Sequence, residues 1–122
     1  MRLNNTTVEF LGLREDHRGY IRYLYAIKEG DETVGDCELR LGDVSPELGN
    51  IGYAVDPEHR GRGHAKNACT MLIGEGKRLG LSEIFVCCRE DNAASRHICK
   101  YLGGREEPVG EKNGKKIYKY IF

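Results

Sequence analysis

The residues best suited to chemistry lie between Ile51 and Ala65. There Arg60-Gly61-Arg62-Gly63-His64-Ala65 follows an apolar run, Ile51 to Val55, and precedes a long helical pattern. The run reads as a strand that Asp56-Pro57 ends, because proline cannot donate to a ladder and disfavours helix at the residue before it. Strand, glycine-rich turn and helix start together suit an anion. The first N–H groups of a helix lack partners inside it, and glycines let a ligand come close. Arg60, Arg62, His64 and Lys66 add positive charge. Cations at a helix N-terminus oppose its dipole by roughly 0.3–1 kcal/mol each, and a bound anion reverses that penalty. A competing reading starts the helix at Pro57, with Asp56 as its cap and Glu58 in the first turn. It would leave Gly61 and Gly63 inside the helix at roughly 1 kcal/mol each against alanine, so it is the weaker of the two. The spacing is not a dinucleotide fingerprint, since a third glycine would fall at Lys66, nor a P-loop, since no Gly-Lys-Ser/Thr follows.

The elements that must position this turn are legible on both sides. Residues 7 to 13 alternate weakly and read as an edge strand, with a polar break from Arg14 to Gly19. Ile21, Tyr23, Tyr25 and Ile27 share one face of the next strand, with Arg22 and Lys28 on the other. Glu29 to Glu32 is a hairpin turn, and Thr33 to Leu41 returns with Cys37, Leu39 and Leu41 alternating against Glu38 and Arg40. Gly35 marks a bulge or a close backbone approach. After a polar loop, Gly42 to Gly49, come the strand 51–55, a helix over about 61–79 with Gly80 as its C-terminal glycine, and an apolar strand 84–88 that suits a parallel position. Asn92 is placed as the N-cap of a second helix, 93–102, ending at Gly103-Gly104. Pro108 makes 105–110 a poor strand, Asn113-Gly114 is a two-residue hairpin turn, and Lys115 to Phe122 is the last strand. The expected fold is α/β (α+β): a mixed, mostly antiparallel sheet with a central strand–helix–strand unit. The 122 residues read as a single domain, 1–122.

Composition narrows the function classes. Lys+Arg and Asp+Glu both number 19, so net charge offers no case for nucleic acid or an anionic membrane. No apolar run has the length of a membrane span, and the first residues lack the apolar core of a signal peptide, which makes the cytoplasm the expected compartment. The five cysteines (Cys37, Cys69, Cys87, Cys88, Cys99) have neither framework nor metal-ligand spacing. Reduced, buried thiols and no metal are the expectation.

The loop Arg60-Gly61-Arg62-Gly63-His64-Ala65 resembles the Arg/Gln-x-x-Gly-x-Gly/Ala loop of the GCN5-related N-acetyltransferases (GNAT superfamily), in particular a short bacterial branch of predicted acetyltransferases. The similarity extends to Tyr53-Ala54-Val55-x-Pro57, Gly80-Leu81, Asp91-Asn92-Ala93-Ala94-Ser95 and Leu102-Gly103-Gly104, and covers about residues 34 to 122. Two helices that family members carry between their first and second strands have no counterpart, since at most Glu9 to Tyr20 occupy that place. The resemblance implies acetyl-CoA as co-substrate. Its pyrophosphate would lie on Arg60, Gly61, Arg62, Gly63, His64 and Ala65, its pantetheine arm on the Val55 backbone, and its remainder near Asn92 and Ser95. The implied reaction is attack of a neutral amine on the acetyl thioester, for a small molecule or an exposed peptide amine. The other reading is a non-catalytic acyl-CoA-binding, sensing or interaction module.

Proton-transfer groups are less evident. The family's acid or histidine on the strand before the glycine loop is replaced by Gly49-Asn50-Ile51-Gly52, and asparagine cannot act as a base. Glu38 on the preceding strand and Glu47 in the loop are substitutes, although each also suits a solvated surface. Tyr53, with Tyr23 and Tyr25, is a candidate to face substrate or to fill the core. His59, His64 and His97 read as surface histidines. Where the family commonly places a tyrosine seven residues after the capping asparagine, Cys99 stands. Acetyl-CoA and an amine acceptor are the expected partners, with a homodimer left open.

Overall fold

A computed structural model describes residues 1–122. Alternating apolar and polar residues give four strands in sequence, β1 (Arg2–Leu3), β2 (Thr6–Glu15), β3 (Tyr20–Glu29) and β4 (Glu32–Gly42), followed by β5 (Ile51–Val55). A single 3-10 turn, Pro57–His59, leads through the glycine loop to α1 (His64–Arg78). Then come β6 (Phe85–Arg89), α2 (Ala93–Tyr101), β7 (Arg105–Lys112) and β8 (Lys115–Ile121). Two sheets result, ordered β1-β2-β3-β4-β5 and β6-β8-β7, and every ladder is antiparallel. No α-helix precedes α1, and β1 turns into β2 through Asn4 and Asn5 alone. No helix is long and apolar enough to cross a membrane.

The α+β class and the strand–helix–strand unit stand as expected, but β5 and β6 share no ladder. They touch only where they begin. Asn50 donates its backbone N–H to Phe85 O at 2.6 Å, and its Oδ1 accepts the Phe85 N–H at 2.8 Å. The Asn50 amide Nδ2 meanwhile donates to Arg40 O at 3.0 Å, in place of the backbone bond that has turned away. One asparagine thus ties β4, β5 and β6 together, and beyond it the two sheets separate. Gly49 beside it must be glycine: its φ is +77°, and a Cβ would stand 2.8 Å from Phe85 O.

Helix α1 packs Ala68, Cys69, Leu72 and Gly76 onto β4, β5 and Ile84. Gly76 permits that approach, because a Cβ would meet Ile84 Cδ1 at 2.6 Å. Leu39, Leu72, Ile84 and Tyr120 are fully buried, and Leu72→Ala would cost about 2–5 kcal/mol. Both helices close with glycine in the left-handed region. Gly80 N–H bonds Lys77 O and Leu81 N–H bonds Gly76 O, and Gly103 and Gly104 repeat the pattern on Lys100 and Cys99.

Several local expectations change. Helix α1 starts at His64 and not at residue 61, because Gly61 and Gly63 take φ of +81° and +84° and hold the loop outside the helix. Strand β2 runs on to Glu15 and is covered at its edge by β1. Residues 105–112 form a full strand despite Pro108, since β7 is an edge strand and a bulge follows between Pro108 and Gly110. Gly35 shows both expected features: a register shift opposite Ile27 and Lys28, and a Cβ position that overlaps the Ala54 carbonyl. Gly74 has open space around it and no packing account.

Candidate functional site

The glycine loop presents backbone. Arg60, Gly61, Arg62 and Gly63 are exposed, and no backbone or side-chain oxygen of the protein accepts from the N–H groups of Gly61 through Lys66. Gly63 is the N-cap of α1 and has no side chain to cap with. These free amides converge on the positive end of a helix of 15 residues, a geometry that fits a pyrophosphate.

Side chains of the loop face elsewhere. Arg60 Nε donates to Val55 O at 3.1 Å and Arg62 pairs with Glu29 at 3.2 Å. The His64 ring is buried, which corrects its placement at the surface. Its Nδ1 lies 2.8 Å from Thr6 Oγ1 and its Nε2 2.9 Å from Glu29 Oε1. Thr6 Oγ1 also accepts from Asn67 Nδ2 at 3.0 Å, so the first turn of α1 is fastened to β2 and β3. His59 is likewise only partly exposed, its Nε2 3.1 Å from Glu32, while His97 is exposed. His64 can therefore offer a phosphate its backbone N–H, not its imidazole.

Strand β5 is a free edge. The bonds from Arg40 N to Asn50 O and from Asp56 N to Val34 O mark even-numbered residues as those facing β4. Backbone groups of Tyr53 and Val55 therefore point outward, towards the gap that separates the sheets. Val55 O is taken by Arg60, leaving the Val55 N–H for a ligand chain.

That gap is a cleft of about 500 Å³, lined by Ile51, Gly52 and Tyr53 of β5, Val86 to Arg89 of β6, Asn92 and Ser95 at the start of α2, and Lys112 and Asn113 of the last hairpin. Asn92 caps α2 as expected, its Oδ1 accepting the Ser95 N–H at 3.2 Å. The hydroxyls of Ser95 and Tyr53 lie 2.8 Å apart across the cleft. Burial pushes the Tyr53 phenol well above its ordinary range, so it stays protonated and can serve as a donor. Cys99, one turn further along α2, is fully buried, and burial also raises its thiol. Tyr101 points away and lies under Lys66, 4.7 Å from its ring centroid.

Glu38 is not brought into the cleft. It grips the Arg22 guanidinium with both oxygens at 2.9 Å and Arg40 Nε at 2.9 Å. The hydrogen bond to Arg22 holds its carboxyl below the usual carboxylate range, with both arginines' charge and Arg40's hydrogen bond adding to it. A carboxylate so held is a poor proton acceptor. Sequence reading missed Arg40, which lines the cleft: its Nη1 donates to Leu48 O and Gly49 O at 3.2 and 3.3 Å, and its Nη2 lies over Gly52. Glu47 also lines the cleft, against Gly110 of β7. All five cysteines are free, and no group of three or more His, Cys, Asp or Glu side chains converges.

Comparison with known proteins agrees with this geometry. The acetyltransferase (GNAT) domain family matches residues 3–105, starting further upstream than the resemblance in the sequence. An uncharacterised N-acetyltransferase of Bacillus licheniformis is 28% identical over 106 residues, covering 83% of this chain and 60% of its own length. A mycothiol acetyltransferase of Streptomyces avermitilis is 35% identical over 95 residues, 76% of this chain but 28% of that protein. Among solved structures, a ribosomal L7/L12 α-N-protein acetyltransferase in complex with coenzyme A superposes with a TM-score of 0.68 at 23% identity, covering 83% of this chain and 61% of that one. The chain thus spans from about a quarter to three fifths of these relatives' lengths. With the loop, the splayed sheets and the family match in agreement, the chain belongs to the GNAT acetyltransferase family.

Proposed function

We propose that this protein is an acetyl-CoA-dependent N-acetyltransferase that moves an acetyl group to the amine of a small molecule or an exposed peptide. The observation that carries it is the unpartnered run of amides from Gly61 to Lys66, next to the free edge of β5. On this reading those amides hold the pyrophosphate, the Val55 N–H pairs with the pantetheine arm, and Asn92 and Ser95 flank the rest of the cleft. Bound acetyl-CoA supplies an activated acetyl carbon. The amine nitrogen bonds to it, the carbon–sulfur bond breaks with its electron pair going to sulfur, and the proton lost by the amine ends on that sulfur as free CoA thiol.

The chain's residues divide that work. The splayed strands orient the two reactants, which removes much of the entropic barrier to their meeting. Tyr53, protonated and hydrogen-bonded to Ser95, is a donor in the cleft for developing negative charge. Glu38 acts through Arg40, which it positions; Glu47, exposed and without an ion-pair partner, is the carboxylate available to the incoming amine. The reading also keeps the single-domain and cytoplasmic expectations, with no metal required.

Binding is tested first by thermal unfolding with CoA and acetyl-CoA. Ligand at 100 times its Kd should add about 2.7 kcal/mol of stability. No shift at millimolar ligand would overturn the reading. Release of free thiol from acetyl-CoA with a panel of amines tests the transfer itself. Binding without any transfer would leave a CoA-binding module.

A further inference from the structure

The cleft's wall on the side of the last hairpin carries charges that the transfer of an acetyl group does not by itself require. Arg22 and Arg40 share the one carboxylate of Glu38, so this trio keeps a net positive charge. The Arg40 side chain is only 13% exposed, and its guanidinium is fixed by Glu38 on one side and by the Leu48 and Gly49 carbonyls on the other. Its Nη2 makes no hydrogen bond within the protein and lies flat on β5, where a Cβ on Gly52 would stand 2.5 Å from it. Lys112 lines the same cleft with no carboxylate partner, whereas Arg89 is already matched by Asp91 at 3.3 Å. One acid stands among these cations: Glu47, also unpaired, seated where a Cβ on Gly110 would be 3.0 Å from its Oε1.

The surplus positive charge of the Arg22–Glu38–Arg40 trio, the unpaired Lys112 and the unpaired Glu47 around one cleft are complementary to a molecule with the reverse pattern. A cation held rigid with a free donor costs little to order when an anion arrives, and its hydrogen bonds to a carboxylate are charge-assisted. Building on the acetyltransferase reading above, we infer that the acceptor is an amine carrying an anionic group a few bonds away, its ammonium met by Glu47 and its anion by Arg40 and Lys112. A free amino acid and the N-terminus of a peptide with an acidic residue near its start share that chemistry.

The experiment compares acetyl transfer to four acceptors: an aliphatic monoamine, a free acidic amino acid, its α-amide, and a short peptide with an acidic second residue. The wild-type protein should favour an anionic acceptor over the monoamine by about tenfold or more in kcat/KM. Preference for the free amino acid over the amide and peptide identifies a small-molecule acceptor; preference for the peptide identifies a protein N-terminus. Arg40→Gln and Lys112→Gln should each erode that preference several-fold, and Lys112→Gln should leave monoamine transfer closer to its original rate. Gly52→Ala, whose methyl group displaces the Arg40 guanidinium without altering its charge, should erode it too, with CoA binding retained. Transfer to all four acceptors without preference, or a preference that survives in the folded, CoA-binding Arg40→Gln, Lys112→Gln and Gly52→Ala proteins, overturns the inference while the acetyltransferase reading stands. Absence of transfer to any amine overturns both.

Discussion

The glycine loop and the opposite wall of the cleft solve recognition with different materials. From Gly61 to Lys66 the groups on offer are backbone amides, contiguous in sequence and aimed by two left-handed glycines and a helix start. Around Arg40, Glu47 and Lys112 they are side chains from β4, the loop that follows it and the last hairpin, with Lys112 far along the chain from the other two and brought to them by the sheet topology. A backbone site is set by local conformation and tolerates little change at its glycines. A side-chain site is set by long-range packing, and its specificity can shift with one residue. The contrast predicts large, all-or-none effects at the loop and graded ones elsewhere.

The sharpest test of that contrast is Gly63→Val. The position has room for a side chain, since the nearest atom to a Cβ is Asn67 Nδ2 at 3.9 Å, but its φ of +84° is one a β-branched residue avoids. Relaxing that angle swings the amides of the loop away from their common focus. CoA affinity should fall by at least a hundredfold, which is about 2.7 kcal/mol of binding, in a protein whose circular dichroism is unchanged. Wild-type affinity in a folded variant would move the anion site away from the loop.

A second test asks whether the loop holds itself. Thr6 Oγ1 touches both His64 Nδ1 and Asn67 Nδ2, and Thr6→Val removes that oxygen at nearly constant volume. Leaving buried polar groups unpaired costs about 1–3 kcal/mol, readable in urea unfolding. CoA affinity should drop by about tenfold, since the first turn of α1 loses its fastening to β2. Lost stability with unchanged CoA affinity would show that the glycines alone set the loop.

These two positions also mark how far the sequence could be read. Gly61 and Gly63 announce themselves because their constraint is local. His64 does not, because the groups that enclose its ring, Thr6 and Glu29, lie 58 and 35 residues away. Asn50 was legible as a residue unable to act as a base, but not as the clamp from which the sheets diverge, since that role depends on Phe85. For Glu38 the signal lies in the strand pattern itself. Arg22, Glu38 and Arg40 all fall on the polar faces of adjacent strands, and the register that pairs Arg22 with Arg40 also sets Glu38 beside both. Pro108 misled because a ladder's edge position cannot be read from the strand alone.

The Glu38 clamp has a pH signature. Its carboxyl is held below the usual range in the folded protein, first by the hydrogen bond to Arg22. A lowered folded-state value means the contribution is complete above the unfolded value near 4.3 and fades as pH falls through the folded one. Glu38→Gln should therefore be less stable than wild type at pH 7, with the gap narrowing below about pH 4. A gap independent of pH between 7 and 3 would mean that the ionised pair contributes nothing beyond packing.

The smallest effect is expected at Cys99, which stands where the resemblance would place a proton-donating tyrosine. The thiol is fully buried, burial raises it further from ionisation, and the cleft lining includes Ser95 one turn earlier but not Cys99 itself. Tyr53 and Ser95 already supply two hydroxyls at that wall, 2.8 Å apart. A thiolate also leaves readily without an acid, so loss of a weak donor behind the wall should matter little. Cys99→Ala should keep acetyl transfer within about tenfold of wild type, a barrier change of at most ~1.4 kcal/mol. Its main cost should appear in unfolding, as a small cavity beside Cys69 and Cys88. Tyr53→Phe should cost more than Cys99→Ala in transfer, because it removes the donor that faces the cleft. If the order is reversed, with Cys99→Ala several hundredfold slower in a protein that melts and binds CoA normally, then the thiol takes part in the chemistry and the hydroxyl pair does not.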